Sequence, residues 1–307
     1  MRDGGYRKVE SLFELSEMFP TEDACRDYLF ARRWPNGFQC PRCGFGKYYP
    51  IRTRNLYECA NCSYQASLTA GTVMEKTRTP LRAWLFLIYM IASQKTGVSV
   101  LSASKMLGIS YDRAWLMASK IGKAMERRDE MYKLTGFVEL DESYFGAKKK
   151  PGKRGRGASG KRPVMVGVNF DEHGPKHAFM KVIERIDTGI IKEIARENIE
   201  TASRVKTDGL NVYRAGLTGY HHEKIVIKDP KASSKELPWV HILVANAKNM
   251  IRGVHHGVSP SHLQSYLSEF SWRFSRRRFS CELFDRLLCC LIDGEPVTYR
   301  SIVPAAA

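Results

Sequence analysis

The stretch FVELDESYF at residues 137–145 sets the character of the second half of the chain. Its alternation predicts a β-strand with Val138 and Leu140 on one face and the acids Glu139 and Asp141 on the other. Because acidic side chains along one face of a strand are unusual, this strand is a candidate for a functional site.

A second acid, Asp208, stands at the end of the strand-like stretch SRVKTDG. Two carboxylates at neighbouring strand ends could share divalent metal, since Mg²⁺ typically takes one or two protein carboxylates and leaves its other positions to water and phosphate. Two such metals about 4 Å apart would activate the attacking oxygen and stabilise the leaving oxygen in phosphodiester chemistry. Taken singly, each acid can also be interpreted as a solvated strand residue or a salt-bridge partner.

The surrounding pattern predicts a mixed α/β fold, with a sheet flanked by helices. Strand-like runs PVMVGVNF, HAFMKVIER and EKIVIK accompany a helical pattern at 187–200, and helices follow from about 237 to 292. The changes of character along the chain predict an N-terminal helical segment (1–35), a cysteine segment (36–70), a helical region (78–130), an α/β domain (135–295) and a tail (296–307).

The charge balance favours a polyanionic partner. The 307 residues carry a formal net charge of +17 with a pI near 9.6, so nucleic acid is the first candidate and an anionic membrane surface the second. The longest apolar run, AWLFLIYMIA at 83–92, is about half of the roughly 20 residues that a spanning helix needs. Acids near the N-terminus argue against a signal peptide, so we expect a cytoplasmic protein without a membrane partner.

Four of the eight cysteines form two pairs, CPRC at 40–43 and CANC at 59–62. This spacing predicts a zinc ribbon in which one structural Zn²⁺ is bound by Cys40, Cys43, Cys59 and Cys62. The alternative is chance spacing of unliganded thiols. A catalytic zinc is not expected, because four sulfurs leave no open position.

Other basic residues are candidates for DNA contact. Residues 98–125 have the layout of a helix-turn-helix, with a break at Gly108, although two short helices that merely pack together would give the same pattern. The candidates are Arg52 and Arg54 in the ribbon, Arg113 and Lys120 in the second helix, and Lys148, Lys149, Lys150, Lys153, Arg154 and Arg156 in the basic loop 148–162.

Seven pieces of the chain resemble, in the same order, bacterial insertion-sequence transposases that join an N-terminal zinc ribbon to a ribonuclease H-like catalytic domain. The pieces are WPNGFQCPRCG, YECANCSYQAS, VELDESYFG with the following loop, KTDGLNVY, GYHHEKIV, WVHILVANAK and HHGVSPSHLQSYLSEFSWRFSRR. The resemblance covers about 20–292. It implies cleavage and strand transfer of double-stranded DNA at terminal inverted repeats, two Mg²⁺ or Mn²⁺ ions per active site, and a homo-oligomer across paired ends.

The resemblance also implies an Asp, Asp, Asn triad made by Asp141, Asp208 and Asn246, the last lying five residues after His241. An asparagine carbonyl can ligate Mg²⁺ but brings no negative charge, so the metal would be held less tightly than by glutamate. On a helix, Lys248 would lie about 200° around the axis from Asn246. It is interpreted either as a ligand of terminal DNA phosphates or as a solvated base.

Three further bases, Arg252, Arg276 and Arg277, are candidates for phosphate contact, and a solvated charged surface is the alternative. Two other functions compete with the transposase. One is a catalytically inactive DNA-binding regulator, and the other is a ribonuclease H-like nuclease or resolvase without strand transfer.

Overall fold

The computed structural model describes residues 5–146, 161–225, 236–255, 258 and 260–303. They form two compact units. The described residues up to Ala124 and from Phe279 onward make the first unit, and those between Met125 and Arg278 make the second. The bases predicted at 148–156 lie outside the described residues.

The first unit begins with two helices and a small sheet. Helix α1 is Leu12–Met18 and α2 is Glu22–Arg33. Helix α2 starts at Glu22 because the Thr21 side chain caps it, accepting a hydrogen bond from the Ala24 amide at 3.2 Å. Strands β1 (Tyr48–Ile51), β2 (Leu56–Cys59) and β3 (Gln65–Ser67) then form an antiparallel sheet in that order.

Helices α3 (Leu81–Ser93), α4 (Val100–Leu107) and α5 (Tyr111–Asp129) follow. Gly108 ends α4 with a φ of 63°, a left-handed conformation that glycine adopts at low cost. The predicted helix, turn and helix are therefore present. Among the helices that the structure describes, none is long and apolar enough to cross a membrane.

Near the C-terminus, α10 (Leu283–Asp293) and α11 (Tyr299–Ile302) also belong to the first unit. The predicted domain range 135–295 had placed α10 with the α/β domain instead. In the structure α10 packs against α3 and α2, and the Val73 amide donates to the Leu291 carbonyl at 3.0 Å. An apolar helix face shows that a partner exists but does not say which one, so this assignment needed the tertiary structure.

A buried carboxylate on α10 ties the ends of this unit together. Asp285 is fully buried, and its two oxygens accept hydrogen bonds from the Tyr28 hydroxyl and the Arg7 amide, each at 2.9 Å. The Arg32 guanidinium lies 2.9 Å from the same carboxylate. A buried charge is tolerated when it is paired and hydrogen-bonded in this way.

We therefore expect Asp285→Ala to lower the free energy of unfolding by about 3–5 kcal/mol, because it removes the buried carboxylate that accepts from the Tyr28 hydroxyl and the Arg7 amide and that pairs with the half-buried Arg32. Denaturant unfolding of the full chain measures this. Glu17→Ala, at an exposed position on α1, is the matched control and should change stability by less than about 0.5 kcal/mol. Equal losses in both variants would contradict the prediction.

The second unit is built on a five-stranded mixed sheet. Its strands are β4 (Phe137–Phe145), β5 (Arg162–Asp171), β6 (Gly174–Val182), β7 (Arg204–Thr207) and β8 (His221–Lys224), arranged in the order β6-β5-β4-β7-β8. Strands β4, β5 and β6 pair antiparallel, whereas β7 pairs parallel with β4 and β8 pairs parallel with β7. This strand order is that of the ribonuclease H-like fold, as predicted. The strand expected at 223–228 overlaps β8 at Glu223 and Lys224, and residues 226–228 lie outside the described residues.

Helices cover both faces of this sheet. Helices α6 (Thr188–Asn198) and α7 (Asn211–Gly216) pack on one face, and α8 (Pro238–His255) and α9 (Leu263–Arg276) pack on the other. The alternation predicted for β4 is confirmed, since Val138 and Leu140 lie in the core under α6 and α7.

Candidate functional site

The two predicted carboxylates lie together beside a third. One carboxylate oxygen from each of Asp141, Glu142 and Asp208 lies within 4.8 Å of the others, and all three residues are partly exposed. The parallel pairing sets Glu139 opposite Lys206. Asp141 and Asp208 each follow two residues later, Asp141 within β4 and Asp208 directly after β7, and they therefore lie at the same level.

Backbone hydrogen bonds hold the two aspartates. Asp141 Oδ1 accepts from the Glu142 amide at 2.8 Å, and Asp208 Oδ1 accepts from the Leu210 amide at 3.1 Å. At the end of β7, the buried Thr207 hydroxyl donates to the Asp208 carbonyl at 2.9 Å and lies 2.8 Å from His222 Nε2 on β8. Since that hydroxyl proton is already donated, the imidazole must be the donor to Thr207.

Sequence reasoning did not single out Glu142. Its Oε2 accepts a hydrogen bond from the Tyr213 hydroxyl of α7 at 2.7 Å. Tyr213 is fully buried, and burial, followed by the charge of Glu142, raises its pKa well above the ordinary value, so the phenol stays protonated and donates. The available signal was an acid directly after Asp141, but adjacent strand residues normally point to opposite faces.

Another acid of β4 positions α8. Glu139 is almost fully buried, and its Oε2 accepts a hydrogen bond from the Val240 amide in the first turn of that helix at 3.0 Å. Burial raises the pKa of Glu139, whereas the amides of Val240 and Trp239 lower it. A carboxylate at a helix N-terminus satisfies amides that have no partner within the helix.

Helix α8 also carries three predicted site residues, Asn246, Lys248 and Arg252. Lys248 Nζ donates to Ser143 Oγ at 2.9 Å and lies 5.1 Å from the ring centroid of Phe145. Burial lowers the Lys248 pKa, and the nearby charges of Lys161 and Arg252 lower it further. Asn246 is exposed two residues earlier, so its part as a ligand stays a prediction.

The four cysteines of the ribbon have the geometry of a tetrahedral metal site. Cys40 Sγ and Cys62 Sγ are 3.7 Å apart, and Cys43 Sγ and Cys59 Sγ are 3.6 Å apart. A tetrahedron with Zn–S distances near 2.3 Å has sulfurs about 3.8 Å apart. The cluster therefore fits a structural zinc.

Two tight turns bring the cysteine pairs to this position. The Gly44 amide donates to the Cys40 carbonyl at 2.9 Å, and the Ser63 amide donates to the Cys59 carbonyl at 3.0 Å. Both Gly44 and Ser63 have positive φ, of 74° and 55°. Because Ser63 adopts a conformation that favours glycine, it carries strain that metal binding would offset.

We expect one zinc per chain by elemental analysis, and we expect Cys43→Ser to lose it because three thiolates hold zinc far more weakly than four. Loss of a structural zinc removes on the order of 10 kcal/mol of folding free energy from such a segment. Cys281→Ser, outside the cluster, should keep the metal. Full zinc content in Cys43→Ser would contradict the assignment.

Two predicted DNA contacts are wrong. Lys120 is only 7% exposed, and its Nζ donates to the carbonyls of Val73 and Glu75 at 3.2 and 3.1 Å. Arg276 is 9% exposed, donates to Asp129 Oδ1 at 2.6 Å, and lies over the Trp272 ring at 4.7 Å. These cations stabilise the interior and are not available to phosphate.

The other predicted bases lie at the surface where they are described. Arg52, Arg54, Arg113, Arg252 and Arg277 are exposed. Arg277 also donates to the carbonyls of Lys176 and Phe274, at 3.1 and 2.7 Å. Their contact with DNA stays a prediction.

Comparison with known proteins agrees with this geometry. A family model described as an ISXO2-like transposase domain matches residues 133–275, and one described as a transposase zinc-ribbon domain matches 20–65. The two matches contain the acidic group and the four cysteines respectively. The chain belongs to the family of insertion-sequence transposases that combine these two domains.

One relative is an "uncharacterized protein in transposable element ISH50" of Halobacterium salinarum, 24% identical over 278 residues that cover 83% of this chain and 91% of the relative. Among solved structures, a pre-cleavage Mos1 transpososome is 14% identical over 65% of this chain and 75% of its own, with a TM-score of 0.26. A Mos1 paired-end complex with the left transposon end is 13% identical over 68% and 78%, with a TM-score of 0.25. The fold assignment follows from the strand order of the five-stranded sheet.

Proposed function

We propose that this transposase binds the terminal inverted repeats of its element, hydrolyses a DNA strand there with an activated water, and then uses the freed 3′-hydroxyl to attack target DNA. We place this activity in the cytoplasm, on the DNA of the nucleoid. The observation that supports it most directly is the meeting of the Asp141 and Asp208 carboxylates just beyond the point where the parallel pairing of β4 with β7 ends.

The donor set fits a hard divalent cation, since carboxylate and amide oxygens are the ligands that Mg²⁺ and Mn²⁺ prefer. Asp141 and Asp208, with the Asn246 carbonyl, would hold two such ions. When bound, the ions would activate the attacking oxygen and stabilise the leaving oxygen. Hydrolysis and strand transfer are both in-line displacements at phosphorus, so the same residues could serve both steps.

Residues around the acids support the binding of a DNA strand. Lys248 lies on the same face of β4 as Asp141, because it contacts Ser143 two residues further along. Its charge is placed to bind a phosphate oxygen beside the site. Glu139, through the Val240 amide, holds α8 in register with β4.

The remaining surface supports a long polyanionic partner. The net charge is +17, and Arg52, Arg54 and Arg113 present exposed guanidinium groups on the ribbon and on α5. We propose that these groups bind phosphates of the element's double-stranded ends and that α5 is the helix that approaches the groove. Membership of the family supports a homo-oligomer that bridges two ends.

A labelled DNA end of the element tests the chemistry. With Mg²⁺, wild type should give both cleaved and joined products, whereas Asp141→Asn and Asp208→Asn should each lower the rate by at least about 10³-fold, because each removes a charged ligand of the ions. Asn246→Ala should weaken the use of Mg²⁺, and Asn246→Asp should preserve it.

Glu193→Gln, on the exposed side of α6, is the matched control and should cleave at the wild-type rate. Cleavage without a joined product would support a nuclease or resolvase instead. No cleavage by wild type would support a DNA-binding regulator. Wild-type rates in both aspartate variants would show that the proposed site is wrong.

Two bases on α5 test the proposed DNA surface. Arg113→Ala should weaken binding to the DNA end and reduce the slope of log affinity against log salt by about 1, because one phosphate contact is lost. Lys120→Met should keep that slope, since its ammonium faces the Val73 and Glu75 carbonyls. Binding titrations at several salt concentrations measure both, and an equal effect on the slope in the two variants would refute the prediction.

A further inference from the structure

Glu142 has a position that neither the predicted triad nor the family match assigns. It follows Asp141 directly on β4, yet its carboxylate lies within 4.8 Å of the carboxylates of both Asp141 and Asp208. The strand pairing explains this. The pairing of β4 with β7 ends at Glu139 and Lys206, so beyond that point a side chain from the other face of β4 can reach around the open edge.

The second observation is that a buried donor holds this carboxylate. Tyr213 is the core-facing residue of α7, and its hydroxyl donates to Glu142 Oε2 at 2.7 Å. Helix α7 begins three residues after Asp208, so one segment of chain supplies both Asp208 and the hydroxyl that orients Glu142. Fixing the side chain before a ligand arrives removes the entropy cost of ordering it at binding.

The third observation is a deficit of charge in the predicted triad. Two carboxylates and a neutral Asn246 bring two negative charges to two divalent cations, one fewer than an Asp, Asp, Glu set. Cation affinity at oxygen sites depends on the number of charged ligands. Glu142 would restore the third charge from β4 itself.

We propose that Glu142 is the third anionic ligand of the divalent metal site and that Tyr213 is its positioning residue. The proposal rests on the proposed function, because it assumes that Asp141 and Asp208 bind that metal. The Glu142 carboxylate supplies the charge that Asn246 cannot supply. Asn246 then serves at most as a neutral oxygen ligand.

Mn²⁺ binding to the full-length, zinc-loaded chain tests this without measuring catalysis. Titration at neutral pH in the absence of DNA, followed by electron paramagnetic resonance of unbound Mn²⁺, gives the affinity and the number of ions. Glu142→Gln should lower the affinity at least about tenfold, since it removes the charge and keeps an oxygen that can accept from Tyr213. Tyr213→Phe should lower it by about tenfold, as is typical when the partner of a ligand is removed.

Controls separate a ligand from a structural residue. Glu193→Gln removes one exposed charge from the same unit and should leave Mn²⁺ affinity unchanged. Glu142→Asp keeps the charge on a shorter side chain and should bind with an affinity between those of wild type and Glu142→Gln. If Glu142 served only as the hydrogen-bond acceptor of Tyr213, its substitution would change the melting temperature of the zinc-loaded chain measured without Mn²⁺. It would not change the Mn²⁺ affinity.

The outcomes also separate this proposal from the proposed function. If Asp141→Asn weakens Mn²⁺ binding and Glu142→Gln does not, the role of Glu142 is refuted and the aspartate site stands. If none of the acid variants changes the affinity, both proposals fail. Should Glu142→Gln not fold, wild-type affinity in both Glu142→Asp and Tyr213→Phe would refute the role of Glu142.

Discussion

The parallel pairing of β4 with β7 is the constraint on which the acidic site depends. β4 lies at the centre of the sheet, antiparallel to β5 on one side and parallel to β7 on the other. Parallel neighbours end at the same edge of a sheet, so residues far apart in sequence meet there. Asp141 lies within β4 just past the end of this pairing, whereas Asp208 follows β7 directly. Backbone hydrogen bonds between the strands bring the two carboxylates to the same level, since like charges do not attract each other. Their mutual repulsion is the reason that such an arrangement suits a cation.

Around that pairing, buried polar groups position the site. Glu139 reaches from β4 to the first turn of α8, and Tyr213 reaches from α7 to Glu142. Each link joins a helix to the central strand by hydrogen bonds, and in each link one partner, Glu139 or Tyr213, is buried away from water. Lost partners are costly in such surroundings, so these links hold two helices in fixed registers on opposite faces of the sheet. The acids of β4 thus have two separate tasks, since Glu139 orders the fold and Asp141 lies in the acidic group.

The positive charge of the chain is divided in a similar way. Lys120 and Arg276 are buried against carbonyls and a carboxylate, whereas Arg113 is exposed on the same helix as Lys120. A long cationic side chain can serve either purpose, and sequence composition does not distinguish them. The net charge of +17 includes cations with internal partners, such as Lys120 and Arg276. It therefore overstates the positive charge that is available to DNA.

The sequence by itself determined the zinc ribbon, the mixed sheet, the alternation of β4 and the two aspartates, because cysteine spacing, period-two patterns and an ordered series of motifs are local properties of the chain. It did not determine that Glu142 joins the acidic group, that Lys120 and Arg276 are internal, or that α10 packs with the first unit. Each of these depends on which surfaces meet. In the sequence alone, an apolar face or a cation has many equivalent possible partners. Only the packing of elements that are distant in sequence selects one of them.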